Sequence, residues 1–429
     1  LAGYWSGDKY YYNPQYSGAY WESHYPGAIK TLTHVVDQTK GKPESANTFA
    51  AAQIMRAFDL HRMTDIYGDI PYTQAGRGLV GEENWFPAYD AQKDVYMKLV
   101  ADIREARDAF SASARPLGEQ DVLYKGDLSK WRKFANSLLM RIAMRMSKVD
   151  PATARTVFTE AAAKGPIDSN AANAFMPQVL GNGGGINYNG TSLALSNAAG
   201  GGGDNNAKIS KTMVDFLNKY NDPRKMIIIG GVGNPYDKST WITDPAMQRG
   251  LPNGYTTTTI KNVFPDFSTI HNFSFINTAI TDLDDPTPLL SYAETELMLA
   301  EAAIKGWVSS SAATHFRNGV RGAIQSWAAF GVQVPSDAAI TSFIDSLNFA
   351  TASNDRKLEL IGEQYWIATY LNHIEAWANW RRTGYPKLTP TNDPANETGG
   401  TIPRRLRYFE DEVGSNPANY KAAVARQGP

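Results

Sequence analysis

The sequence predicts an all-α-dominated protein, with tetratricopeptide-like helical pairs as a scaffold and one large irregular, loop-rich portion carrying the ligand. Three observations predict it. Apolar residues recur at steps of three and four over several long segments, the period of a helix with one buried face. These segments come in consecutive pairs, and stacked pairs build a solenoid. Between them, residues 166–288 change character, with glycine runs at 183–185 and 200–203; long irregular stretches of this kind commonly carry binding surfaces. The expected scaffold covers 28–165 and 289–386, all within a single domain spanning 1–429.

Residues 1–27 read as an extended or looped opening, interrupted by Pro14, Gly18 and Pro26. A first helix is expected over about 28–40, ended by Gly41 and Pro43. Residues 46–64 carry a stripe of Ala51, Met55 and Phe58; Gly68 and Pro71 then mark a turn. Over 88–110 the stripe is Val95, Leu99, Ile103, Ala106 and Phe110. The strongest helix, 129–147, keeps Trp131, Phe134, Leu138, Ile142 and Met146 on one face, with Pro151 beyond its end. A short helix follows over 152–163. Inside the insert only 207–220 reads as helical. Ser291 followed by Glu294 is a capping-box pattern that opens the next helix, with Gly306 as its exit. Helices over 311–330, 336–348 and 355–382 complete the scaffold, Gly384 and Pro386 closing the last. The tail, 387–429, reads as polar loop.

Composition narrows the chemistry. Net charge is −1, from 42 basic and 43 acidic residues, so no global field draws in nucleic acid. Cysteine is absent, which excludes disulfides, thiolate nucleophiles and cysteine-based zinc sites. The six histidines show no His-x-x-x-His spacing, and no Gly-x-Ser-x-Gly nucleophile turn occurs. The glycine runs lack a following Gly-Lys-Ser/Thr, so there is no phosphate-binding loop. Asp65 with Asp69, and Asp282 with Asp284 and Asp285, are the carboxylate pairs a glycosidase would need to draw on; their ordinary role is capping turns. No cofactor is expected; a structural calcium ion is the exception that these Asp-rich turns would permit. The Arg404–Arg407 run reads as a packed tail segment rather than a nucleic-acid patch.

Aromatic residues make up 11% of the chain. Seven lie in loop contexts: Trp5, Tyr10, Tyr11, Trp85, Tyr188, Trp241 and Tyr255, beside the amides of Asn187, Asn189 and Asn205. Flat apolar faces next to amides suit sugar rings and their hydroxyls. The expected ligand contacts are therefore Trp5, Tyr10, Tyr11, Trp85, Tyr188, Asn189, Trp241 and Tyr255, with no catalytic residue.

Several segments, in order along the chain, resemble one family. Asp65-Ile-Tyr-Gly-Asp-Ile-Pro-Tyr72 resembles the exit of an early helix in SusD/RagB proteins, and Pro87–Tyr96 the start of the next. Trp131-Arg-Lys-Phe-Ala-Asn136, Tyr292–Ala302, Glu375–Pro386 and Ile402–Tyr408 follow. The resemblance is weakest over 1–27 and 180–260. It implies a non-enzymatic, cell-surface glycan-binding lipoprotein of the outer membrane. It also implies a lipid-bearing amino-terminal cysteine preceding this sequence, which begins at Leu1 and reads as a truncated or processed form. The implied partner is a TonB-dependent, SusC-like transporter. A peptide-binding protein of the same fold, a glycoside hydrolase and a pure protein-interaction scaffold are the rival readings.

Overall fold

The computed structural model describes residues 7–180, 188–195, 208–391 and 393–428. The fold is all-α dominated, with paired helices and a loop-rich insert. The first helices are α1 (Pro14–His24), α2 (Lys30–Thr39), α3 (Ala46–Tyr67), α4 (Gln92–Ala109), α5 (Leu128–Met146) and α6 (Pro151–Ala163). After the insert come α10 (Tyr292–Ile304), α11 (Ala312–Gln325), α12 (Asp337–Ser346), α13 (Asn354–Ala368) and α14 (His373–Thr383). The most extensively packed partners are consecutive: α3 with α4, α5 with α6, α10 with α11. Within the insert lie α7 (Gly190–Leu195), α8 (Lys211–Lys219) and α9 (Lys225–Ile228).

Three expectations are corrected. The opening segment is helical from Pro14, continued by a π-turn over Tyr25–Ile29. Pro14 sits at the first helical position, where its missing N–H costs nothing, and the Asn13 side chain accepts from Tyr16 N. Gly18 is there for packing: a Cβ would lie 2.5 Å from the Phe409 ring. The single helix expected over 355–382 is two, broken around Asn372. Its amide donates to Leu289 O, and its oxygen accepts from Arg62. Those are tertiary partners with no local signature. The tail is not all loop: α15 (Glu412–Ser415) and α16 (Pro417–Gln427) pack back on the end of α3. There Tyr408 Oη donates to Asp69 O at 2.7 Å, and Arg426 Nε pairs with Asp69 at 2.7 Å.

The α3 stripe understated its burial. Seventeen of its 22 residues are buried, including Asn47, Gln53, Arg56, Asp59, His61 and Asp65. Burying such residues is costly unless they find partners. Asp65 joins an ionic network that ties six helices. Arg145 Nε lies 3.1 Å from Asp65, and Arg145 Nη2 lies 2.6 Å from Glu375. Arg141 pairs with Glu294 at 2.6 Å. Tyr365 donates to Glu375 at 2.7 Å and Tyr96 to Asp65 at 2.7 Å. Ser291 and Glu294 do form the capping box, so Glu294 both starts α10 and anchors Arg141. Gly68 ends α3 at φ 83°, a left-handed backbone that a side chain would strain.

The insert is closed at its base. Its first strand, β1 (Ala174–Met176), pairs antiparallel with its last, β4 (Thr287–Leu290). Inside, β2 (Ile229–Val232) pairs antiparallel with β3 (Ser274–Ile276). The apolar face of α8, with Met213, Val214, Phe216 and Leu217, shares a core with Trp327, Phe330, Ile367 and Tyr370 of the scaffold. That shared core sets the insert against the α11–α13 end of the helices and positions the cleft described next.

Candidate ligand cleft

A cleft of about 1480 Å³ opens where the amino-terminal segment, the insert and the 388–394 segment converge. Its walls are Asp8 and Tyr10, the start of α8, the loop around Tyr255, and Leu388–Thr391; Trp366 and His373 contribute from α13 and α14.

Each wall is fixed by hydrogen bonds. Lys211 N donates to Leu251 O at 2.8 Å, and Leu251 N to Ile209 O at 2.9 Å. Gly250 passes so close to α8 that a Cβ would stand 2.4 Å from Lys211 Cα. Gly254 N donates to the Asp8 carboxylate at 3.0 Å, which joins the amino-terminal segment to the loop. Tyr10 has φ 59°, and its hydroxyl accepts from Thr391 N at 3.2 Å. Burial raises the Tyr10 pKa above the ordinary phenol value, so the group stays neutral at physiological pH. Tyr11 donates to Asp393 at 2.8 Å. Tyr255 is half-buried, backed by Phe264 and Phe267 over a small core of Leu251, Ile260, Ile270 and Phe273. Trp366 is half-buried against Phe216, ring centroids 5.5 Å apart at 77°.

The sequence-expected contacts divide. Tyr10 and Tyr255 line the cleft, and Tyr11 braces Asp393, which lines it. Tyr188 is at the surface, two residues before the cleft-lining Gly190. Asn189 is buried, its amide donating to Asp285 O at 3.0 Å and its oxygen capping α7 through Thr191 N at 2.9 Å. Its polar atoms are committed to the fold. Trp241 packs on Phe275 at 5.0 Å and donates to Asn234 O at 2.7 Å, away from the cleft lining. Trp85 lies on another surface, between α3 and α4. Trp5 lies outside the described residues, as do Asn187 and Asn205.

Trp366, Tyr16 and Thr391 line the cleft but were missed. Trp366 falls beside the α13 stripe rather than on it, next to the buried Tyr365; a tryptophan on a helix face that spacing marks as polar was the available signal. Thr391 Oγ1 is buried with no hydrogen-bond partner among the described residues.

The carboxylate pairs weighed for glycosidase chemistry are otherwise engaged. Asp65 sits in the ionic network, and Asp69 accepts from Gln92 N at 2.8 Å as well as from Arg426. Asp285 accepts from Asp282 N at 2.8 Å, closing a turn. The basic run is also engaged: Arg407 lies over the Tyr12 ring at 4.3 Å and Arg404 over Trp380 at 5.5 Å. Among the described residues, no group of three or more His, Cys, Asp or Glu side chains is placed to hold a metal ion. No helix among them is long and apolar enough to cross a membrane.

A family model described as "Starch-binding associating with outer membrane", SusD-like, matches residues 2–409. The chain belongs to the SusD-like family. Among solved structures, a chitin-binding protein is 32% identical, with a TM-score of 0.85 over 100% of this chain and 89% of its own. A Bacteroidetes SusD-like protein is 27% identical, with a TM-score of 0.87 over 100% of this chain and 91% of its own. A chitin-binding SusD homolog from Flavobacterium johnsoniae, 23% identical with a TM-score of 0.81 over 100% and 89%, shares the fold. No curated protein sequence matches significantly. Membership accounts for the ordered motifs: in this SusD-like chain they fall mainly on scaffold helices and on the joints between them. Trp131 and Phe134 are buried in α5, and Tyr292–Ala302 opens α10. The cleft walls carry little of that pattern.

Proposed function

We propose that this chain captures oligosaccharide at the cell surface and delivers it, chemically unchanged, to a TonB-dependent, SusC-like outer-membrane transporter. The carrying observation is the cleft. It exceeds the roughly 300–1,000 Å³ of a small-molecule pocket. It brings aromatic rings of Tyr10, Tyr255 and Trp366 together with hydroxyls and an amide of Thr191, Thr259 and Asn262. Rings stack on the apolar faces of sugars, and the polar groups read their hydroxyls. The 32% identical chitin-binding protein supports a glycan as the cargo. The outer-membrane association in the family description supports the location, and a lipid anchor on a cysteine preceding Leu1 would supply attachment. Of the residues expected from sequence, Tyr10 and Tyr255 are proposed to touch ligand directly.

Calorimetry of the intact chain with chitin and malto-oligosaccharides tests the reading. Tyr255→Ala should weaken binding about fivefold, the loss of a contact of about 1 kcal/mol. The recovered sugar should be the same length before and after incubation. Binding of peptides but of no glycan, or time-dependent shortening of the oligosaccharide, would overturn it.

A further inference from the structure

One wall of the cleft carries charge that the fold leaves unanswered. Asp393 and Asp8 both line it. Asp393 is only 8% exposed. Its Oδ1 accepts from the Tyr11 hydroxyl at 2.8 Å and from Ala395 N at 2.9 Å, which fixes the carboxyl group. Its Oδ2 takes no hydrogen bond among the described residues, and the residue lines the cleft, so this oxygen is left to whatever enters. A largely buried charged acceptor without a donor is costly unless a ligand supplies one. The Thr391 hydroxyl on the same wall is also buried without a partner among the described residues. It stands over Gly254, where a Cβ would fall 1.8 Å from Thr391 Oγ1. Gly254 N in turn donates to one Asp8 oxygen at 3.0 Å, and Asn253 Nδ2 donates to the other. Two carboxylates and an orphan hydroxyl thus share this wall with Tyr10, whose hydroxyl meets Thr391 N.

Among the described residues, no unpaired cation lines the cleft. Lys211 is paired with Asp215 one helical turn on, so the two cancel. Loss of solvent around the His373 ring lowers its pKa to about 4, so it stays neutral at physiological pH. The cations on neighbouring residues do not line the cleft. Lys9 lies over the Tyr11 ring at 5.7 Å, Lys387 over Tyr385 at 4.6 Å and Arg404 over Trp380 at 5.5 Å. Arg62 donates to Asn372 at 2.7 Å, and Lys261 is exposed on the turn that holds Thr259 and Asn262. The residues outside the described ranges contain no lysine or arginine.

This charge selects among sugars. A uronic acid or sulfated sugar would meet like charge. An acetamido or hydroxyl group would offer Asp393 a neutral donor, whereas an ammonium group offers a charged one, and the bond is about twice as strong. We infer that this wall is a subsite for the protonated amine of a 2-amino sugar, so that the preferred cargo is an oligosaccharide bearing free amines, such as de-N-acetylated chitin. This rests on the capture half of the proposed function and names the class of sugar that the cleft selects.

The test titrates the intact chain by calorimetry with oligosaccharides of equal length built from glucosamine, N-acetylglucosamine or galacturonic acid. At about pH 6, below the ordinary amine range, the glucosamine oligomer should bind about tenfold more tightly than the N-acetylglucosamine one. The galacturonate oligomer should bind most weakly. At about pH 9 the sugar amine is uncharged, and the preference should vanish. Asp393→Asn keeps an acceptor for Tyr11 while removing the charge, and should bring the glucosamine and N-acetylglucosamine affinities together at the lower pH. Should that variant fail to fold, the wild-type comparison between the two pH values still decides. Equal wild-type affinities for these two oligomers at the lower pH overturn the inference and leave glycan capture standing. So does a preference that survives at the higher pH or in Asp393→Asn, and so does galacturonate bound as tightly as glucosamine. Binding of no oligosaccharide at all removes the capture reading and the subsite with it.

Discussion

Asp65 in the scaffold and Asp285 in the insert are both buried aspartates, and the fold treats them in opposite ways. Burial alone would raise the pKa of either. At Asp65, Arg145 above all, with His61 and Arg381, reverses that and holds the carboxyl well below its ordinary value. At Asp285, burial wins: a hydrogen bond from Asp282 N opposes it, but the charges of Asp282 and Asp284 add to it, and the pKa is pushed up to about 6. The scaffold brings its charges together from distant parts of the chain; Arg145 and Glu375 are 230 residues apart. Insert charges pair mostly locally, as Arg224 does with Asp222 and Lys211 with Asp215, although Lys219 reaches Glu363 of the scaffold at 3.2 Å and Asp168 meets Lys133 at 2.7 Å. Lys208, fully buried, lies 3.5 Å from His271 Nδ1, and burial lowers its pKa to about 8. Long-range ionic contacts fix how helices register on one another. The insert relies instead on short strand pairs and a core borrowed from the scaffold.

The comparison breaks most visibly at Arg141. Arg141→Ala leaves Glu294 buried beside Glu375 and should cost about 3–5 kcal/mol in denaturant unfolding. If the loss were under about 1 kcal/mol, the network would not be what holds the helices in register. Arg141→Met tests the distinct point that an apolar group of similar length recovers part of the loss.

Next comes the sign of the pH dependence. His61 is buried in the scaffold, and burial lowers its pKa to about 4. Between about 6.5 and 4 the unfolded chain binds a proton that the folded chain refuses, so this histidine removes stability as pH falls, by about 1.4 kcal/mol per unit. Asp65, held low, withdraws its contribution at still lower pH, beneath the ordinary carboxylate value of about 3.9. Asp285 has the reverse sign. Its raised pKa favours the folded insert below about 3.9 and loses that contribution as pH rises through about 6. Hydrogen exchange, corrected for intrinsic rate, should therefore show protection at 282–290 declining from pH 4 to 6, with Asp285→Asn abolishing the decline. Parallel pH trends in α3 and in 282–290 would erase the contrast.

The smallest effect is expected at a cap. Ser210 accepts from Met213 N and opens α8 at the cleft wall. Ser210→Ala should cost about 1 kcal/mol of thermal stability. A matching loss of oligosaccharide affinity would show that the start of α8 shapes the cleft and does more than support it.

The paired helices, the α5 stripe and the Ser291–Glu294 box were legible in sequence because each is a local pattern: a 3.6-residue period, or a cap three residues from its partner. The ordered motifs carried the family for the same reason. Partners 80 to 310 residues away left no such trace. Nothing near Asn372 signals that Arg62 and Leu289 break the helix there, and nothing near Asp65 announces Arg145. Trp85, Trp241 and Tyr255 look alike as loop aromatics; only folding places Tyr255 on a cleft wall, Trp241 against Phe275 and Trp85 on another surface. Periodicity and capping are properties of neighbours along the chain, so one sequence determines them. Cleft and network are properties of neighbours in space, which the tertiary structure alone decides.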